Sequence, residues 1–324
     1  MRTFTIKENE AGQRLDKYLR KLLPDAPGSF IYKMLRKKNI VLNAAKATGA
    51  EHLNVGDEIT CFMSDETFEK FSHSAKDTIE ELKRVPLQPA FSVVYEDDDI
   101  LVMNKPAGML SQKARESDIS ANEHMIAYLL ESKALTEADL HTFRPSICNR
   151  LDRNTSGLLL AGKTLRGLQY LSAELKNRSM EKYYRCLVKG DIAEKQVKKG
   201  YLLKDERENS VSIVQNGSPN RKYIETAYTP IERFGSYTLL EVHLITGRSH
   251  QIRAHLASLG HPVIGDPKYG NPRQNQIFEN KVGVTRQLLH AYRVRFSDGN
   301  EVIADLSTDF EAAVNWLRAS AEKN

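Results

Sequence analysis

The first sixty residues contain two short stretches in which apolar side chains recur at helical spacing. The first stretch ends at Pro24, and the second follows Pro27 and Gly28, where Ser29 is placed to cap a helix. The apolar positions are Leu15, Tyr18, Leu19, Leu22 and Leu23 in the first stretch and Phe30, Ile31, Met34 and Leu35 in the second. Residues 40–42 then predict a short strand, and residues 55–59 predict a turn into another. The pattern predicts a compact α/β module over residues 1–60, here called the N-terminal module.

Residues 61–90 are polar and mixed in charge, which predicts a linker with one short helix near residues 78–84. Apolar runs return at Phe91, and residues 93–95 and 100–103 flank an acidic turn, as in a β-hairpin. Ser120 and Glu123 form a capping box that opens a helix. Strands and helices then mix without a regular βα alternation. This predicts an α+β domain over residues 91–324, built on a mixed, largely antiparallel sheet.

Positive charge is concentrated in the N-terminal module. The net charge of all 324 residues is +5, whereas residues 14–46 alone hold nine Lys or Arg against two acids, a net +7 in 33 residues. Such a cluster is often the solvated face of a helix, but here both helices and the following turn contribute cations. A surface that follows RNA phosphates is therefore a second interpretation, and the sequence pattern leaves both open.

Several classes of protein are disfavoured by composition. The three cysteines lie far apart with no C-x-x-C pair, so they form neither a disulfide framework nor a zinc knuckle. The N-terminal residues lack the apolar stretch of a signal peptide. No apolar run approaches the roughly 18 to 20 residues that a membrane span requires. A cytoplasmic protein without a membrane segment is the expectation.

The run from Arg150 to Gly157 places a carboxylate, Asp152, between the guanidinium groups of Arg150 and Arg153. The chain then passes through turn-forming residues into an apolar strand. Flanking cations stabilise the ionised form of an Asp, which suits a nucleophile or base rather than a proton donor. The alternative is an Asp that caps a turn or pairs with an Arg on the surface.

Residues 246–256 form a second candidate segment, at the start of a helix that follows an apolar strand and ends at Gly260. Arg253 lies on the face opposite the apolar positions, together with His250 at i and i+3. A cation in the first turns opposes the helix dipole, so Arg253 is expected to have a negative partner, either Asp152 or an RNA phosphate. An exposed Arg in an ordinary helix is the alternative. His250 and His255 do not form an H-E-x-x-H motif, and no metal site is predicted.

Residues 182–188 alternate as in a strand, with Tyr184 on one face and Tyr183 on the other. One of these rings is therefore expected to face the interior or a cleft. Core packing is one interpretation. Stacking on an unpaired base is the other, and such stacking contributes about 1 to 3 kcal/mol.

Together these segments resemble the RluA-type pseudouridine synthases, which isomerise uridine in ribosomal or transfer RNA. The motifs occur in one order over residues 91–300. They are Tyr95-Glu96-Asp97, Asn104-Lys105-Pro106-Ala107-Gly108, the run from Arg150 to Leu160, Lys182 with Tyr184, Gly247 to Arg253, Gly260 to Asp266 with Tyr269-Gly270, and Leu289-His290-Ala291. The N-terminal module resembles the small RNA-binding domain named after a ribosomal small-subunit protein, here called the S-four type. That similarity rests on residues 14–19, the basic second helix, Val41-Leu42-Asn43 and Val55-Gly56-Asp57, while Asn39 and Ala44 stand where that family often has glycine.

The resemblance implies roles for individual residues. Asp152 matches the catalytic aspartate, Tyr184 the active-site tyrosine of a Lys-x-Tyr motif, and Arg253 the basic residue that pairs with the aspartate. Asn149 departs from the pattern, because a His usually precedes Arg-Leu-Asp; this affects the expected substrate subgroup and one neighbouring hydrogen bond. The candidates for RNA contact are Arg14, Lys17, Lys33, Arg36, Lys37, Lys38, Arg150, Arg153, Arg248 and His250.

The reaction implied by the resemblance breaks the N-glycosidic bond of a uridine, rotates the uracil and rejoins it through carbon. A carboxylate near the ribose could attack the anomeric carbon or remove the neighbouring sugar proton. The step needs no redox change or group transfer, so neither a cofactor nor a metal is expected. The favoured substrate is 23S ribosomal RNA, and transfer RNA is the second candidate. A non-catalytic RNA-binding or ribosome assembly factor is the alternative class. A monomer is expected.

Overall fold

The computed structural model describes residues 1–72, 82, 84–86, 90–137, 139–208, 210–214 and 219–321. The helix predicted near residues 78–84 lies for the most part outside the described residues. In the described part of the chain, no helix is both long and apolar enough to cross a membrane.

The N-terminal module packs helices against a small antiparallel sheet. Its strands are β1 (Arg2–Thr5), β2 (Ile40–Leu42), β3 (Ala45–Lys46) and β4 (Glu58–Cys61), in the order β1-β4-β2-β3, and its helices are α1 (Leu15–Leu22), α2 (Gly28–Arg36) and α3 (Asp65–Phe71). The predicted helices and strands are confirmed. Ser29, however, does not cap α2: Pro27 is the N-cap residue, no side chain caps the helix, and Ser29 lies inside its first turn.

The N-terminal module extends past residue 60, so the prediction of a linker from residue 61 onward is wrong for its first eleven residues. The side chain of Ser64 caps α3 by accepting from the amide of Thr67, and Phe68 is 5% exposed in the core of the module. The ring of Phe68 stacks on Phe4 of β1, with 5.6 Å between ring centroids. The polar composition of residues 61–71 gave no helical pattern of apolar residues, because Phe68 is the one buried side chain of this helix.

The catalytic-domain candidate is built on one large sheet of eleven strands. They are β5 (Ser92–Glu96), β6 (Ile100–Lys105), β7 (Ser146–Ile147), β8 (Ser156–Gly162), β9 (Glu181–Lys189), β10 (Gln196–Asp205), β11 (Ser210–Val214), β12 (Lys222–Arg233), β13 (Tyr237–Leu244), β14 (Leu289–Arg295) and β15 (Glu301–Ile303). The main path runs β11-β10-β12-β13-β9-β14-β8-β6-β5, with β7 paired to β8 and β15 to β14. Among the pairings of these named strands only β8 with β14 is parallel, which confirms the α+β, largely antiparallel prediction.

Helices cover both faces of this sheet. They are α4 (Ala121–Glu131), α5 (Leu165–Asn177), α6 (Gln251–Ser258), α7 (Pro272–Val282) and α8 (Thr308–Ala321). On one face, α4 and α6 pack their apolar side chains into the same core as Tyr184 of β9 and Leu159 of β8. On the other face, Leu171 of α5 lies in a second core, and residues of α7 and α8 form a third. The capping box predicted at Ser120 is present at the start of α4.

The one parallel ladder depends on a glycine. Gly157 of β8 pairs with Ala291 of β14, and its φ of 113° lies in the region that L side chains rarely adopt. A Cβ at this position would lie 2.2 Å from the carbonyl oxygen of Ala291. The two strands therefore approach closely only because residue 157 has no side chain.

We expect Gly157→Ala to destabilise the protein by about 3 kcal/mol or more, since it adds backbone strain to a clash with a buried strand. The free energy of unfolding by denaturant measures the effect. Gly247→Ala is the matched control, because no heavy atom lies within 4 Å of a Cβ built there. Equal stability of the two variants would contradict the close approach.

Candidate active site

Residues 151–156, which follow β7 and end at the first residue of β8, carry Asp152 and are held in place by side chains from three other segments. Ser111 donates from Oγ to the carbonyl of Leu151 and accepts from its amide. Within the loop, the amide of Thr155 donates to the carbonyl of Asp152 at 3.0 Å. We call residues 151–156 the catalytic loop.

Asp152 contacts the guanidinium group of Arg253, which lies in the first turn of α6. Nη1 of Arg253 donates to Oδ2 of Asp152 at 2.8 Å, and the side chain of Asp152 remains 25% exposed. Of the two partners expected for Arg253, Asp152 is therefore the one it contacts. The exposed fraction leaves one edge of the carboxylate open to a substrate.

A second carboxylate completes this arrangement. Nε and Nη2 of Arg253 donate to the two oxygens of Asp266 at 2.7 and 2.9 Å, and the side chain of Asp266 is fully buried. Burial lowers the pKa of Arg253, but the hydrogen bonds and charges of Asp266 and Asp152 outweigh it and raise the pKa overall. Burial raises the pKa of Asp266. The hydrogen bonds and charge of Arg253, together with two backbone amides, outweigh burial and lower that pKa overall. Arg253 is therefore a permanent cation between two carboxylates.

The two arginines next to Asp152 in sequence do not pair with it. Arg150 is exposed, and Arg153 donates from Nε to the carbonyl of Gly108 at 3.0 Å. Among the described residues, only Arg253 and His250 are within ion-pair distance of Asp152. Neither arginine forms the expected ion pair with Asp152, because Arg153 is hydrogen-bonded to Gly108 and Arg150 faces solvent.

His250 is the N-cap residue of α6 and has a left-handed backbone with φ of 52°. Its Nε2 lies 3.8 Å from Oδ1 of Asp152, and its Nδ1 lies 2.9 Å from the hydroxyl of Tyr269. Burial lowers the pKa of His250, with Asp152 opposing that shift. His250, proposed as an RNA contact, therefore lies beside the carboxylate.

Tyr184 lies on the same face of the sheet as the catalytic loop, and Tyr183 lies on the opposite face. Tyr184 is 7% exposed within the core that also contains Leu151 and Ile252. Its pKa is raised first by burial and then by the charge of Asp152. Tyr183 instead stacks on His243, with 4.7 Å between ring centroids. The side chain that shares the electrostatic environment of Asp152 is thus Tyr184.

Asn149, the departure from the family pattern, hydrogen-bonds to the backbone of β8. Its Nδ2 donates to the carbonyl of Leu158 at 3.2 Å, and its Oδ1 accepts from the amide of Leu160 at 2.8 Å. The amide side chain thereby extends the pairing of β7 with β8. Both of its hydrogen-bonding groups are engaged away from Asp152.

Two buried basic side chains, Lys105 and Arg286, lie against the catalytic loop, and neither was assigned a role from the sequence. Lys105 is fully buried and donates from Nζ to the carbonyls of Pro106, Met109 and Arg153 at 2.8, 2.9 and 3.1 Å. Arg286 donates to the carbonyl of Asn154 at 3.2 Å. The position of Lys105 inside a recurring motif was the only signal, and Arg286 had none.

Residues 286–290, which lead into and begin β14, form hydrogen bonds to the catalytic loop, and Arg286 makes the first of them. Its Nη2 also donates to Asp309 of α8 at 2.6 Å. The next residue, Gln287, donates to Oγ1 of Thr155 at 3.2 Å. Ser156 and His290 share a hydrogen bond of 2.8 Å between Oγ and Nδ1. Three consecutive residues of the catalytic loop are thus held from one segment.

His290 makes the loop sensitive to acid. Burial, with the nearby charge of Arg286, lowers the pKa of His290 to about 4. Because the folded-state pKa lies below the unfolded one, stability is present above pH 6.5 and is lost as the pH falls toward 4. The linkage relation gives a loss of about 2.5 kcal/mol between pH 7 and pH 4.5. We expect denaturant unfolding of His290→Asn to show a pH dependence smaller by that amount, and an unchanged dependence would contradict it.

The candidate RNA contacts of the N-terminal module are solvent-exposed. They are Arg14, Lys17, Lys33, Arg36, Lys37 and Lys38. Arg14 pairs with Asp16 of α1 at 3.1 Å, and Asp16 also accepts from the hydroxyl of Tyr32. The other five form no ion pair with the described residues. Arg248 is likewise exposed, in the loop before α6.

The chain is similar in sequence to one protein family and to several of its members. Residues 99–258 match a family model described as RNA pseudouridylate synthase. The chain is 33% identical over 321 residues to ribosomal large subunit pseudouridine synthase C of Vibrio vulnificus, covering 97% of this chain and 96% of the relative. It is 32% identical over 298 residues to the Escherichia coli K12 protein of the same name, covering 90% and 87%. The D-type synthase of Nitrosomonas europaea is 31% identical over 298 residues, covering 90% and 79%.

Solved structures share the fold. Human RNA pseudouridylate synthase domain containing 4 superposes with a TM-score of 0.59 at 18% identity, covering 76% of this chain and 97% of the other. Human RNA pseudouridylate synthase domain containing 1 gives a TM-score of 0.53 at 23% identity, covering 72% and 97%.

Proposed function

Because the chain belongs to the RNA pseudouridylate synthase family and is an isomerase, we propose that it forms pseudouridine in large-subunit ribosomal RNA, with Asp152 acting at the ribose. The observation that carries the role of Asp152 is its ion pair with the buried Arg253 at 2.8 Å, made while Asp152 itself stays partly exposed. A charged carboxylate is thus held in one orientation at a surface that a nucleotide can reach.

The neighbouring side chains suit an extruded uridine. The target base must leave its stack, which costs a few kcal/mol. Tyr184 supplies an aromatic wall beside Asp152, and the exposed cations Arg150, Arg153 and Arg248 are close in sequence to the two segments that meet there. We assign Tyr184 to the base and the three arginines to phosphates of the flanking nucleotides.

Ribosomal RNA is favoured over transfer RNA as the substrate. The relatives named above at 31–33% identity carry names that specify the large ribosomal subunit. The net +7 of residues 14–46 also fits a large folded RNA with many accessible phosphates. We propose that the N-terminal module binds RNA, that residues 91–324 form the catalytic domain, and that the protein acts as a monomer in the cytoplasm.

The test is pseudouridine mapping on purified RNA. The protein is incubated with a 23S ribosomal RNA transcript and, separately, with a transfer RNA transcript, and each uridine is scored by chemical mapping. We expect conversion at discrete positions in the 23S transcript and none in the transfer RNA. Conversion in transfer RNA alone would transfer the proposal to the second substrate, and conversion in neither would contradict it.

The N-terminal module is tested by the salt dependence of binding. Replacing Lys33, Arg36, Lys37 and Lys38 with Gln removes four exposed cations. We expect the slope of log affinity against log salt to become shallower by about 3, because each phosphate contact contributes about 0.7 to 0.9. Filter binding between 50 and 200 mM salt measures it.

The matched control removes four exposed cations elsewhere, namely Lys133, Lys176, Arg273 and Lys281. Its net charge equals that of the test variant, so it reports non-specific attraction alone. A similar slope for the two variants would show that the basic module is an ordinary solvated surface.

A further inference from the structure

Asp266 is the most completely engaged acidic side chain near the site. Besides its two hydrogen bonds from Arg253, its Oδ1 accepts from the backbone amides of Lys268 and Tyr269 at 2.8 and 3.0 Å. Its own carbonyl accepts from Nδ2 of Asn275 at 2.9 Å. No part of its side chain is exposed, so it cannot touch RNA.

This carboxylate determines which edge of Arg253 faces Asp152. The fork of Nε and Nη2 is occupied by Asp266, which leaves Nη1 for Asp152. The guanidinium carbon also lies 5.2 Å from the centroid of the Tyr269 ring, in cation–π contact. Arg253 is therefore fixed by groups that take no part in bond making.

The charges of the three groups bear on the reaction itself. Before reaction the set of Asp152, Arg253 and Asp266 carries a net charge of −1. If an oxygen of Asp152 attacks the anomeric carbon, a C–O bond forms, the N-glycosidic bond breaks and its electron pair leaves on the uracil. If Asp152 instead takes the neighbouring sugar proton, the C–H electron pair forms a C=C bond of the sugar and the uracil leaves with the glycosidic pair. Asp152 becomes neutral in both routes.

Losing that charge would be costly if Arg253 had only one partner. A buried cation whose partner has been removed is strongly destabilising, because its charge is left uncompensated away from water. With Asp266 in place the remaining pair is neutral and fully hydrogen-bonded. The net charge of the three groups is therefore zero after Asp152 has reacted, whereas it is −1 before.

We propose that Asp266 is a positioning residue for the reaction: by sharing Arg253 with Asp152, it keeps the arginine paired when the charge of Asp152 is consumed and so favours that step. The inference rests on the proposed role of Asp152. It deepens that role, because it assigns a function in the chemical step to a residue with no access to substrate.

The test is Asp266→Asn in the full-length protein. We expect the single-turnover rate of pseudouridine formation to fall about a hundredfold with RNA affinity unchanged, the size of effect that misplacing a supporting group produces. Asn removes the charge that competes with Asp152 for Arg253. Because Asp266 does not contact RNA, the loss should appear in the single-turnover rate at saturating RNA and not in the RNA affinity.

Glu174→Gln is the matched control, since it removes a buried carboxylate that bonds to Ser179 and Ser297, away from the site. It should leave both the single-turnover rate and the RNA affinity unchanged. A rate for Asp266→Asn within twofold of the unmodified protein overturns the inference. So does a slower rate that is matched by an equal loss of RNA affinity or of folded protein, because a merely structural role would produce that result.

If Asp266→Asn does not fold by circular dichroism, Arg253→Lys decides. Lysine keeps one cation but lacks the fork needed to bridge two carboxylates. We expect it to lose at least tenfold in rate, and a rate within threefold of the unmodified protein overturns the inference. Failure of the underlying function is separately visible, because the unmodified protein would then be inactive or Asp152→Asn would stay active.

Discussion

We expect the substitution Asp152→Asn to abolish pseudouridine formation. The amide can neither attack the anomeric carbon nor accept the sugar proton, and loss of a group that forms or breaks bonds typically costs about 10⁴-fold or more. RNA affinity should stay within about threefold, because binding depends mainly on cations elsewhere. Single-turnover assays and filter binding on the same RNA measure the two quantities.

The fold should tolerate this change for a structural reason. Arg253 retains its two hydrogen bonds to Asp266 when Asp152 loses its charge, so no buried cation is left unpaired. Asp191→Asn is the control: it also removes a carboxylate paired with an arginine, Arg233, but at an exposed position. Pseudouridine formation by Asp152→Asn at the rate of this control would refute the assignment of Asp152.

Lys105→Met is expected to lower stability and activity together. Three partly buried carbonyl oxygens lose their donor, and each group left unsatisfied away from water costs about 1 to 3 kcal/mol. Removing the buried cation offsets part of this, so we expect a net loss of about 3 kcal/mol. Because one of the three carbonyls belongs to Arg153, the catalytic loop should also lose its shape and the enzyme its activity.

Denaturant unfolding and single-turnover rates measure the two effects of Lys105→Met. The control is Lys199→Met, at a side chain that is 65% exposed and pairs loosely with Glu225 at 3.8 Å. Equal unfolding free energies for the two variants would show that the carbonyls around Lys105 find other donors or water.

The elements were predictable where local pattern determines them. The helical spacing of Leu15 and its neighbours, the acidic hairpin turn and the capping box at Ser120 are short-range signals, and all three are present. Helix α3 was missed because it depends on Phe68 packing against Phe4, a contact between residues 64 positions apart.

The sequence named candidate residues for the site but did not reveal which of them contact one another. Asp152, Tyr184 and Arg253 were named as candidates from the sequence and lie together in the structure, whereas the expected pairing of Asp152 with its neighbours in sequence is absent. Which cation reaches a carboxylate depends on how β8 and α6 meet in space, over a separation of 101 residues. Asp266, Arg286 and Gln287 act through hydrogen bonds to other residues, and no spacing rule reveals such partners.

The hydrogen bonds that hold the catalytic loop have a consequence for synthesis of the chain. Asn154, Thr155 and Ser156 are each held by residues that follow them by 132 to 134 positions. A nascent chain that has emerged only to about residue 280 already contains Asp152, Tyr184, Arg253 and Asp266, yet its loop has no support from β14. If the N-terminal module binds RNA as proposed, such a chain, or a product truncated there, would bind RNA before it could modify it. We therefore expect activity only after β14 (Leu289–Arg295) has been synthesised and has paired with β8.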